Sequence, residues 1–335
     1  AKADGPWKEE SASYRVTVTR PTSFVSETID VTTPGSLQDM LLDLPTRPKE
    51  LTITGNINAT DINYINSGAG KIAGVTILDL SNVKLVASDI PYNTTQIGTS
   101  DVGIGAIMIQ FYISDECRID TVSTGGSLGG SGTLYKVYSN ALAGGFFNNK
   151  NLTRVILPRD LPAIGMYMFN GSMVENIVMP DSPSEIGVLA FAGCALKSIS
   201  VPASVTKIGN AAFQGSAISD ITLPESCIEI GDCAFKDTKL NYINLKHLQF
   251  IGEDAFEGVP LTGTIDLSNI TNIPTGAFAY TKVNEIIFSS ALKTIGASAF
   301  KNNLNLKVIT LPEGLESVGN YAFNGCQSLT SIVLP

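Results

Sequence analysis

The chain has 335 residues, 44% of them hydrophobic and only 16% charged, with 22 Lys and Arg against 31 Asp and Glu for a net charge of −9. That leaves ample apolar material for a long core and too little charge for disorder. An acidic balance without a Lys/Arg cluster argues against nucleic acid or an anionic membrane surface as partner, and no apolar run approaches the roughly 18 residues of a membrane span.

In chain order, Ala1 opens a polar stretch, AKADGPWKEE, that reads as a mature chain after removal of an export signal. YRVTVT (14–19) alternates like a strand. Ser36 with Asp39 resembles a capping box opening a short helix over SLQDMLLDL. LTITGN (51–56) and ILDLSN (77–82) predict two strands of a longer repeat, with Thr60 capping a helix across DINYIN between them. Residues 1–83 are thus expected to form an N-terminal α/β cap that hides the first open core face of a repeat array. Residues 84–141 read as an irregular insertion. GIGAIMIQFYI (103–113) is apolar enough for burial, and TVSTGGSLGGSGT (121–133) is a flexible loop by composition. GGSLGG lacks the Lys-Ser/Thr of a phosphate loop. Asp120-Thr121-Val122 resembles an Asp-Ser/Thr-aliphatic O-glycosylation acceptor.

From residue 142 to 335 the sequence repeats. Phe recurs at 147, 169, 191, 213, 235, 256, 278, 300 and 323, at steps of 21 to 23 residues. Five residues before each, from Phe169 onward, stands a β-branched residue, running from Ile164 to Val318. Gly follows that residue in every case except Pro274. Between the Phe positions lies L-x-x-I-x-L-P, as in LTRVILP (152–158) and LKVITLP (306–312). The alternation x-I-x-L predicts a short strand with Ile and Leu inward, ended by Pro at 158, 202, 224 and 312, since Pro cannot donate the next ladder bond. I-G-x-x-A-F returns the chain with Ile and Phe inward. Pro274 implies either that the Gly slot does not need positive φ or that this repeat bends differently. The expected fold is a right-handed leucine-rich-repeat solenoid with a parallel β-sheet on one side and irregular or short helical returns on the other. The last strand, LTSIVLP, lacks a following return, so more chain or a neighbouring molecule is expected to cover Ile332 and Leu334.

Chemistry-bearing residues are sparse. Five cysteines without a C-x-x-C pair point away from a zinc site or disulfide framework, and Cys194, Cys227 and Cys326 fall in core slots. The single histidine, His247, reads as a corner residue. DCAFKD (232–237) and EDAFE (253–257) read as solvated return turns. No catalytic, metal or cofactor site is expected. The outward strand positions carry few charges, and Asp220, Tyr242, Asn244 and Asp266 are predicted to gather on adjacent strands as a ligand-binding patch.

PASVTKIGNAAFQGS (202–216) followed by L-x-x-I-x-L-P resembles the BspA-type leucine-rich repeat, over residues 142–335. PGSLQDML, LTITGNINATDI and LDLSNVKLV resemble the N-terminal segment of surface leucine-rich-repeat proteins of gut Bacteroidetes. The resemblance implies an exported protein, secreted or held at the cell surface as an outer-membrane lipoprotein. It implies adhesion or protein–protein interaction with a host or bacterial partner and no catalysis. It carries over no ligand residue. The alternative reading is a glycan-binding protein of a polysaccharide-uptake system, favoured by exposed aromatics, for which Tyr242 and Trp7 are the candidates.

Overall fold

The computed structural model describes residues 25–91, 93–97, 107–113, 118–124 and 132–333, with side chains at 25–91 and 140–333. The strand expected at 14–19, Trp7, Cys117, the loop core at 125–131 and Leu334 lie outside these residues. The chain winds as a parallel β-solenoid of about 11 turns.

On the front, Ser26–Val31, Glu50–Ile57, Ile77–Leu85, Arg154–Ile156 and Asn176–Val178 pair in that order, all parallel. The cap strands and the first two repeat strands therefore share one sheet, Leu78 standing beside Val155. Between Leu85 and Arg154, four strands replace the irregular insertion expected from composition. Asn93–Ile97, Ile107–Ile113, Gly132–Ser139 and Arg118–Thr124 pair in that spatial order, with a parallel pair at the centre. The β-branched and aromatic content of IMIQFYI, RIDTVST and GTLYKVYS outweighs the glycines around them.

Two cap details differ from expectation. The helix Leu37–Leu42 does start after Ser36, but the Ser36 hydroxyl donates to the Thr33 carbonyl and caps nothing. The second helix, Ala59–Ser67, is capped by Asn58, whose side chain accepts from the Thr60 N–H. Buried Asp61 serves both helices. Its carboxylate accepts from Gly35 N and Leu37 N at 2.7 and 2.9 Å and from Asn58 N at 3.0 Å, satisfying amides at the start of each.

The repeat core is a column of phenyl rings. Phe146, 169, 191, 213, 235, 256, 278, 300 and 323 stack face to face with centroids 5.1 to 5.6 Å apart. The first rung is Phe146, not the expected Phe147, which sits half-buried and edge-on to Tyr167 at 6.3 Å. Hydrogen bonds fix the frame: Gly165 N donates to Ala141 O as Gly187 N does to Ile164 O, so Ala141 holds the Ile slot and Phe146 the Phe slot. Two residues in left-handed conformation flank each ring, for example Leu189 and Gly193 around Phe191. The ring residue's N–H then bonds to the residue before the next coil's ring, Met168 for Phe146 and Ala in the later coils, as Phe191 N to Ala212 O at 2.7 Å.

The Gly after each return Ile does not need positive φ, which settles the first alternative raised by Pro274. It needs room: a Cβ at Gly252 would lie 2.2 Å from Asp232 N and 2.4 Å from Gly231 C. Pro274 fits the conformation but has no N–H for the Ile251 carbonyl, the bond that Gly252 and Gly296 make to Ile230 and Ile273. The return sheet accordingly splits into Glu185–Ile186 through Phe250–Ile251 and Asn272–Ile273 through Ser317–Val318. Across the same pair of coils the front strands Thr262–Leu267 and Lys282–Phe288 pair over six registered positions, more than other repeat strands do.

Candidate functional site

The front face is built by alternation. Inward Val155, Ile199, Ile221, Ile265, Ile286 and Ile309 are buried, and their neighbours on either side face water. Ile243 is buried as well, but Tyr242–Asn244 pairs as a strand with neither neighbour, so the patch expected on adjacent strands is not one continuous ladder. Asp220 pairs with Ser198 in register and is exposed. Tyr242 occupies the same position one coil on and is 66% exposed.

Asn244 and Asp266 have another occupation. Asn244 Oδ1 accepts the Lys246 N–H at 3.2 Å, and Asp266 Oδ1 accepts the Ser268 N–H at 3.0 Å. Asp79 does the same for Ser81 at 2.8 Å. These amides stand where other repeats have Pro, which has none to satisfy. An Asx side chain two residues earlier thus ends the strand in place of proline. Of the four predicted residues, Asp220 and Tyr242 point out as free side chains, and the other two are strand terminators. The third repeat without Pro, at Ser289, uses its own hydroxyl, which accepts from Ala291 N at 3.1 Å.

Aliphatic groups extend the exposed row: Val178, Ile287 and Val308 are 42%, 44% and 47% exposed. Glu285, the charge among them, accepts the Thr264 hydroxyl at 3.0 Å.

On the return turns, the acids read as solvated are bound to neighbouring coils. Asp232 Oδ1 accepts Glu253 N at 2.8 Å, and Lys236 pairs with Glu257 and, at 3.8 Å, with Asp254. Partial burial and the Glu257 charge push the Asp254 carboxyl above its ordinary value. His247 stands in the turn after Leu245, half-buried, and desolvation lowers its pKa. Cys194 and Cys227 are buried, and burial raises both thiols, Cys227 to about 11.

Sequence reasoning missed further exposed aromatics. Phe250, Tyr280 and Tyr321 are 61%, 47% and 69% exposed. Their signal was positional: Phe250 precedes an inward Ile, and Tyr280 and Tyr321 hold the left-handed slots beside the ladder ring.

One-strand coils stacked in register on a phenyl column define a leucine-rich-repeat solenoid. Residues 141–262 and 249–335 match the BspA type Leucine rich repeat region in six copies, and the chain belongs to this family. No curated protein matches the chain. Among solved structures it is similar to the pneumococcal vaccine antigen PcpA, at 19% identity over 71% of this chain and 78% of that one, TM-score 0.37. A leucine-rich repeat protein from Eubacterium ventriosum shares 15% identity over 93% and 91%, TM-score 0.37. One from Bacteroides ovatus shares 18% over 71% and 92%, TM-score 0.27. Among the described residues no helix is long and apolar enough to cross a membrane.

Proposed function

We propose that this chain is a non-catalytic interaction module of a gut Bacteroidetes bacterium, secreted or displayed at its surface, that holds a host or bacterial protein on the front face. The observation behind this reading is the row of exposed, mostly uncharged groups at Val178, Tyr242, Ile287 and Val308 over a buried apolar layer. Such a face is held stiff by the core beneath it and loses little entropy on binding. Uncharged side chains cost little to desolvate, and Tyr supplies apolar area with a polar tip. Tyr242 is the anchor and Asp220 its neighbour. The family's repeat supports an extracellular, adhesive role by resemblance.

The test is surface plasmon resonance against immobilised extracellular-matrix proteins and a glycan array in parallel. Tyr242→Ala is expected to weaken protein binding by about 1–3 kcal/mol without lowering the melting temperature. Unchanged affinity in both Tyr242→Ala and Asp220→Ala would move the interface off the front face.

A further inference from the structure

Where Pro274 interrupts the return sheet, the gap between two coils is a recess of about 400 Å³ lined by Gln249, Phe250, Asn269 and Thr271. Three features meet there. The first is the opened ladder: the return strands Phe250–Ile251 and Asn272–Ile273 are consecutive in the chain but unpaired, whereas Glu229–Ile230 and Phe250–Ile251 pair normally. The second is Phe250. Its position in the other coils is held by Ala163, Glu185, Lys207, Glu229, Asn272, Thr294 and Ser317, one small and six polar residues. Among the described residues only Phe250 puts a phenyl ring in water, 61% exposed, at the wall of the opening. The third is the rest of the lining, two carboxamides and a hydroxyl with no charge among them. Asn269 Nδ2 is held by the Lys246 carbonyl at 2.6 Å, which fixes the amide and leaves its Oδ1 as an acceptor.

We propose that this recess binds a neutral oligosaccharide. A pyranose presents an apolar C–H face that stacks on an aromatic ring and a rim of hydroxyls that both donate and accept. Phe250 matches the face, and Gln249, Asn269 and Thr271 match the rim. The lining brings no cation to balance a phosphate or an acidic sugar. The volume lies within the range of small-ligand sites, at the size of one or two sugar rings. The site lies on the return strand and is independent of the front-face reading, so either can fail alone.

The experiment is isothermal titration of the whole chain with neutral glucan, mannan, galactan and xylan oligosaccharides, with melting temperatures recorded for each variant. At least one oligosaccharide is expected to bind the parent chain. Phe250→Ala is expected to weaken it about tenfold or more at unchanged melting temperature, and Gln249→Ala to weaken it less. Binding of none of the four classes by the parent chain overturns the proposal, as does retained affinity in Phe250→Ala.

Discussion

Asn244 and Asp266 show one position serving two ends. Each lies at an outward position of the front face, where a short polar side chain looks available to a ligand, and each spends its oxygen on the backbone two residues on. Removing that oxygen leaves an amide without its acceptor. Asp266→Ala is expected to cost about 1 kcal/mol by chemical denaturation. The mechanism makes a sharper demand. Ser268→Pro removes the amide, as in the repeats that carry proline, so the Asp266 substitution should cost almost nothing in that background. A double-mutant cycle with no coupling would sink the terminator role. The sequence carries half of this: aligning the repeats shows Lys246 and Ser268 in the slot that Pro158, Pro202, Pro224 and Pro312 fill elsewhere, while the substitute two residues earlier reads as a surface polar group until the turn is seen.

At the level of elements, the phenyl column was legible because a period of 21 to 23 residues with an Ala-Phe pair has few alternative readings. Its first rung was not. Phe146 and Phe147 are adjacent, Gly145 replaces the marker Ala, and equal spacing of 22 favours Phe147. Packing chooses Phe146 because the hydrogen-bonded frame places Ala141 in the Ile slot. Phe146→Ala is therefore expected to cost about 3–5 kcal/mol, as for a fully buried ring, and Phe147→Ala clearly less. Equal losses in urea unfolding would contradict the assignment. Pro274 was legible as an exception, and the conformation that tolerates it was one of two readings. Its consequences were not legible. A broken ladder and a recess depend on which carbonyl loses its donor, and that is known only once coils are stacked. The four-stranded insertion escaped for a different reason, since its strands alternate between glycine-rich stretches that composition scores as loop.

Across the whole molecule, the front sheet is discontinuous, pairing breaking off after Asn176–Val178, around Tyr242–Asn244 and after Lys282–Phe288. The return sheet breaks at Pro274. Turn hydrogen bonds and the stacked rings run through every one of these breaks. Each coil thus touches only its neighbours, and stability is a sum of coil and interface contributions. Phe213→Ala removes two ring contacts at once, to Phe191 at 5.1 Å and Phe235 at 5.2 Å, and is expected to cost about 3–5 kcal/mol. In a nearest-neighbour array that loss stays local. Hydrogen exchange should speed up at the amides of Phe191, Phe213 and Phe235, each of which donates to the next coil. The amides of Phe278 and Phe300 should keep their protection, because the interfaces beside them are untouched. An even loss along the chain would mean that the solenoid opens as one unit and that the broken sheets do not divide it.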